Sequence, residues 1–264
     1  MLTEVRSQIK ITILSIKYAI MRELLNKATF ISNVVFMILN NASFLIQWAV
    51  LYSIKDNFGG YTFNQVMLLW GIAAATYGFS HFFFKNAYKL SSAINTGSLD
   101  VFLVQPKSVY LQAITSNVEV SAIGDILFGY IMVFITGFTV KKFLLFTFFG
   151  IIGGISLTAF AIILGSLSFW FSKTDVIVDT GQSLAINFAT YPDGIFKGFV
   201  KGILYIALPV GIVNYIPISI IYNFNIKLFL ICIIYCILIV LASILVFNKG
   251  LKRYSSTNLM NVRT

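Results

Sequence analysis

Apolar runs near twenty residues long recur along the chain, separated by short polar breaks. A bilayer core about 30 Å thick takes ~20 apolar residues of helix. The runs therefore predict membrane-crossing helices at roughly residues 30–52, 65–84, 119–140 and 143–171, and a last one in "LFLICIIYCILIVLASILVF". They are continuous rather than alternating, which argues against a β-barrel. Residues 4–27 keep a different rhythm. At about 100° per residue, Val5, Ile9, Ile13, Ile16 and Ile20 share a face, and Arg6, Lys10 and Lys17 form an adjoining basic stripe, the pattern of an amphipathic helix in the headgroup plane. The stretch 172–225 begins with the semi-polar "TDVIVDTGQSLAINFAT" and continues through Pro192, Pro209, Pro217 and several glycines. Broken helices persist at membrane depth only where protein or a cavity covers them. The stretch thus predicts one span at roughly 172–190 and a re-entrant pair of half-helices over about 191–225. The expected fold class is an all-α polytopic membrane protein. An N-terminal amphipathic elbow helix occupies 1–29, and residues 30–264 form a domain of six transmembrane helices with a re-entrant region before the last span.

Composition agrees. Hydrophobic residues make up 58% of the chain and charged residues 11%, where an ordinary soluble domain carries about 25% charged. The net charge of +10 is read as positive-inside orientation and contact with anionic lipid, not as a nucleic-acid footprint. Placing both termini on the cytoplasmic side of the cell membrane puts thirteen of the nineteen Lys and Arg inside, Lys89 and Lys107 among them, and leaves six outside, including Lys55 and Lys141. No G-x-x-x-x-G-K-[ST], H-E-x-x-H or G-x-S-x-G motif is present, and the chain has one histidine. A catalytic constellation, an ATP site of that kind, a metal and a resident cofactor are all unsupported. Cys232 and Cys236, four apart in one apolar run, read as packed structural thiols.

Polar residues inside the spans are the candidates for function. Asn33, Asn40 and Gln47 are spaced by seven and share a helix face, with Ser43 beside them. Such a stripe is either a packing seam or the wall of a translocation path. His81 and Asp125 fall at similar depth and are expected to pair, or in a sharper alternative to relay protons. Gly71, Ala74, Ala75 and Gly78, and the Gly150/Gly154 pair, predict close helix packing.

The loop at about 85–117 is far longer than a turn needs. In it "YKLSSAIN" predicts a short helix that Gly97 ends. Leu99, Phe102 and Leu103 beside Asp100 and Pro106 then predict apolar side chains on an aqueous segment, covered by the chain itself or by a partner.

This loop, "INTGSLDVFLVQPKS", resembles a branch of the ABC-2 type transporter permeases that carries a G-x-L-D-x-x-L-x-x-P signature. "IGDILFGY" and "YPDGIF…LPVGIVNYIP" resemble that branch too. The branch contains exporters of drugs and cationic, viologen-type compounds. The resemblance implies the membrane subunit of an ATP-driven exporter for an amphipathic or hydrophobic substrate. ATP and Mg would be bound by separate ABC ATPase subunits, and the second permease would be another copy or a related chain. It also implies that Leu90, Ile94 and Asn95 belong to a coupling helix, with Gly97, Leu99, Asp100, Phe102, Leu103 and Pro106 on its return. A secondary transporter without an ATPase, and a lipid-modifying enzyme, are the alternatives. The first calls for more midplane carboxylates than Asp125, and the second for catalytic side chains that one histidine does not supply.

Overall fold

The structure is a computed structural model and describes residues 2–105, 107–171 and 174–255; Pro106 and Lys173 lie outside the described residues. The chain is all-helical: α1 (Leu2–Glu23), α2 (Lys27–Ile54), α3 (Phe63–Phe84), α4 (Leu90–Asn95), α5 (Asp100–Leu103), α6 (Val109–Thr115), α7 (Ile123–Ile135), α8 (Val140–Ser166), α9 (Asp175–Ala189), α10 (Gly198–Ile206), α11 (Ile216–Tyr222) and α12 (Ile226–Leu251). Polar caps start the long helices where the first backbone N–H groups lack partners. Asn26 Oδ1 accepts from Thr29 N at 3.2 Å, Gln65 Oε1 from Thr62 N at 2.8 Å, Thr139 Oγ1 from Lys142 N at 3.1 Å, and Asn225 Oδ1 from Lys227 N at 2.9 Å.

Among the described residues, four helical stretches are long and apolar enough to cross a membrane: Lys27–Ile54, Phe63–Asn95, Val140–Phe169 and Ile226–Leu251. Two bent pairs, Val109–Thr115 with Val120–Ile135 (72°) and Gly198–Ile206 with Gly211–Tyr222 (80°), raise the number to six if each is one span. The protein is an all-α polytopic membrane protein. Two boundaries differ from expectation. The third predicted span ends with α7 at Ile135, and Gly137 (φ 94°) makes the turn, so Lys141 and Lys142 open α8 instead of closing α7. The stretch expected as span 172–190 is α9, whose 15 residues reach only ~22 Å at 1.5 Å per residue. The break expected beyond it takes the form of α10 and α11, with a π-helical turn at Gly211–Tyr215 leading into α11.

At the centre α3 lies between α7 and α8. Small residues make this possible, because apolar lipid offers no hydrophobic drive and helices associate by close packing. A Cβ on Gly129 would stand 2.6 Å from the Gly71 carbonyl oxygen, and one on Gly154 2.9 Å from Phe79 Cβ. On the far side α12 covers α8, with Cys232 and Cys236 buried as free thiols. By contrast, only 6% of the most apolar window of α2 is buried.

Candidate functional site

A cavity of about 780 Å³ opens between α2, α3, α7, α9 and the π-helical turn. From α2 it takes Asn33, Asn40, Asn41 and Gln47, so the three amides of the predicted stripe meet on its wall. Ser43 is not part of the lining; its hydroxyl donates back to the Asn40 carbonyl at 2.7 Å. Trp48, Trp70, Tyr77 and Tyr191 supply aromatic faces, and Glu119 and Asp125 supply two carboxylates.

Asp125 and His81 do not pair. Asn41 Nδ2 donates to Asp125 Oδ1 at 2.6 Å, and Asn41 Oδ1 accepts from Trp70 Nε1 at 3.0 Å. His81 is sandwiched between Tyr77 and Tyr88, with ring centroids 3.7 and 4.0 Å away, and its Nδ1 lies 3.2 Å from the Tyr77 carbonyl oxygen. The two residues face different neighbours. Asp125 meets α2, whereas His81 packs against the segment that leads into the loop. Glu119 is held by Lys85 at 3.2 Å.

Asn41 was not singled out from the sequence, because the seven-residue stripe passes through its neighbour Asn40. Its signal lies in a second row. Asn41, Phe44 and Trp48 follow i, i+3, i+7 spacing, and all three line the cavity. Asn41→Leu leaves a buried carboxylate without its donor and is expected to cost about 1–3 kcal/mol, read as a lower midpoint of thermal unfolding in detergent. Asn40→Leu should leave the midpoint unchanged, and equal losses from both substitutions would contradict the assignment.

The long loop is built as an extension of α3. A 3₁₀ segment, Lys85–Lys89, runs into α4, and Gly97 (φ 76°) reverses the chain in a conformation that L side chains rarely adopt. The apolar side chains of the loop divide. Leu90, Ile94 and Leu99 are buried in a cluster with Ile162, Phe169 and Phe247 at the ends of α8 and α12. Leu99 is 0% exposed, covered by the chain itself. Its direction follows from the turn at Gly97, which folds the return strand back under α4. Phe102 is half-buried and Leu103 is exposed. Val101, 60% exposed, and Val104, 84% exposed, join Leu103 in an uncovered apolar patch. Asp100 caps no helix; it faces Tyr254, and burial together with this carboxylate pushes the Tyr254 phenol pKa up. Asn95 is half-buried and donates to Asp175 Oδ2 at 3.1 Å.

Membrane-crossing helices around an open cavity of mixed apolar, amide and aromatic lining, with a compact helical loop fixed to one end of the bundle, define a multi-pass membrane protein. The chain belongs to the ABC-2 family of transporter proteins, whose family model matches residues 37–258, and is a membrane component of such a transporter. No curated protein and no solved structure matches it.

Proposed function

We propose that this chain is the transmembrane subunit of an ATP-driven exporter, that it works with separate ATPase subunits and a second permease, and that it moves an amphipathic or hydrophobic substrate through the cavity beside α2. In this reading both termini and the loop face the cytoplasm, and α1 lies in the headgroup plane. The observation that carries the reading is the patch of Val101, Leu103 and Val104. It stands on a loop whose other apolar side chains are locked into the bundle, so the patch is presented rigidly. Apolar area left in water costs near 25 cal/mol per Å², and a docked ATPase would remove that cost. The amides and aromatics of the cavity suit an amphipathic solute, since a few placed polar groups orient a ligand that apolar walls hold.

The test is co-purification of a soluble ATP-hydrolysing subunit with the tagged chain from its native membrane. The double variant Val101→Asp/Val104→Asp is expected to keep its elution profile and thermal stability, lose the ATPase and lose ATP-dependent transport. Retention of the ATPase by this variant would remove the patch from the interface. Absence of any ATPase from the wild-type preparation would remove the reading itself.

A further inference from the structure

Beneath the loop lies a polar knot that neither the cavity nor the patch accounts for. On α4, Ser91 and Asn95 are four residues apart and so project from one face. Both reach Asp175, in the first turn of α9. Ser91 Oγ donates to Asp175 Oδ1 at 2.5 Å, and Asn95 Nδ2 donates to Asp175 Oδ2 at 3.1 Å. Behind them, Ser91 Oγ lies 2.6 Å from Ser168 Oγ and 3.2 Å from Thr174 Oγ1, and Ser168 and Thr174 are hydrogen-bonded to each other. Ser91, Ser168 and Thr174 are all buried. Each hydroxyl has one proton, so the chain of hydroxyls can be satisfied if it runs Thr174, Ser168, Ser91 and ends on the carboxylate. Thr174 occupies the N-cap position of α9, yet its side chain makes no capping bond there. Its hydroxyl is committed to the knot instead.

The arrangement joins two elements that otherwise belong to different parts of the molecule. α4 is fixed by apolar contacts to the ends of α8 and α12. α9 carries Ala185, Ile186, Asn187, Ala189 and Thr190 onto the cavity wall at its other end. Apolar contacts slide at little cost, whereas a carboxylate bonded at both oxygens holds one register, because charge-assisted bonds are directional and about twice as strong as neutral ones. We propose that Asp175 is the positioning residue that ties α9 to α4, so that displacement of the loop is carried along α9 to the wall of the cavity. The proposal rests on the reading of the loop as the ATPase contact and names the path by which that contact reaches the cavity.

The experiment uses the purified complex with its ATPase in lipid vesicles, and ATP as the probe in place of a substrate. Cys232 and Cys236 are replaced by alanine, single cysteines are introduced at Asn187 on α9 and at Asn40 on α2, both exposed and both lining the cavity, and their labelling by a water-soluble maleimide is timed with and without ATP. In the otherwise unchanged protein the rate at 187 should shift with ATP by about fivefold or more, the lower end of ordinary coupling between sites. Asp175→Ala should abolish the shift at 187 while leaving ATPase co-purification, basal ATP hydrolysis and the response at 40 in place. A purely structural role for Asp175 would not separate 187 from 40. Asn95→Ala, which removes one of the two bonds, should give an intermediate shift and serves as the deciding variant if Asp175→Ala fails to assemble. A full ATP response at 187 in both variants overturns the proposal. So does a wild-type complex in which 40 responds and 187 does not, which leaves the ATPase reading standing. A preparation with no ATPase and no ATP response at either position overturns both.

Discussion

Ile94→Asp should prevent the loop from assembling, and the chain should accumulate poorly and elute as aggregate in detergent. Ile94 is 0% exposed and lies among Leu90, Leu99, Phe169 and Phe247. The side chains of this cluster are apolar, so an aspartate there would be buried among them. Removing an unpaired charge from water costs several kcal/mol, a large share of the 5–15 kcal/mol that holds an ordinary domain together. Ile94→Val should cost only about 1 kcal/mol and keep the elution profile. The comparison with Val104→Asp is the informative one, since that side chain is 84% exposed and a charge there should leave folding intact. Fluorescence-detected size exclusion with a thermal ramp separates the cases. An Ile94→Asp protein as stable as wild type that had merely lost its ATPase would mean that this face of α4 points outward.

Gly129→Val should separate α3 from α7. A Cβ at 129 would stand 2.6 Å from the Gly71 carbonyl oxygen and 2.9 Å from Ala75 Cβ. The first of these is backbone in the middle of a helix and has no rotamer to yield. Overpacking of this kind costs about 3 kcal/mol. The displacement would also pull Asp125 away from Asn41, since Asp125 is one turn from Gly129 on the same helix. The expected result is a clear fall in thermal midpoint. Gly137→Ala offers a contrast. A Cβ there meets nothing within 4 Å, and its penalty comes from the positive φ alone, about 1 kcal/mol. Equal midpoints for Gly129→Val and wild type would show that α3 and α7 are not in contact as described.

The long apolar helices were legible in the chain because a membrane span is coded by continuous hydrophobicity, a signal that survives averaging over twenty residues. The four clearest runs match helices of the structure to within a few residues. The rest depends on information that averaging discards. The end of α7 was placed too late because Phe138 and Val140 continue the apolar run across the turn at Gly137 as far as Lys141. In the loop, Leu99 and Leu103 are both leucines on one short segment, and nothing in composition says that the first goes inside and the second stays out. That difference comes from the reversal at Gly97 and the space left between α8 and α12. The amide stripe could be drawn from spacing alone, but the residue that binds Asp125 is one position away from it. The knot at Asp175 joins residues 80 and 84 positions apart along the chain, a pairing that one sequence does not display.

The thin cover on α2 has a consequence for how the protein is made. The principal polar anchor of this helix, Asn41 on Asp125, spans 84 positions along the chain. At a synthesis rate of 5–20 residues per second, α2 emerges roughly 4–17 seconds before α7 does. During that interval Asn41 has the Met37 carbonyl of its own helix and then Trp70 of α3, but not yet its carboxylate partner. Nascent chains stalled before residue 125 should therefore hold α2 beside the insertion machinery, and release should follow once α7 enters and Asp125 accepts the waiting amide.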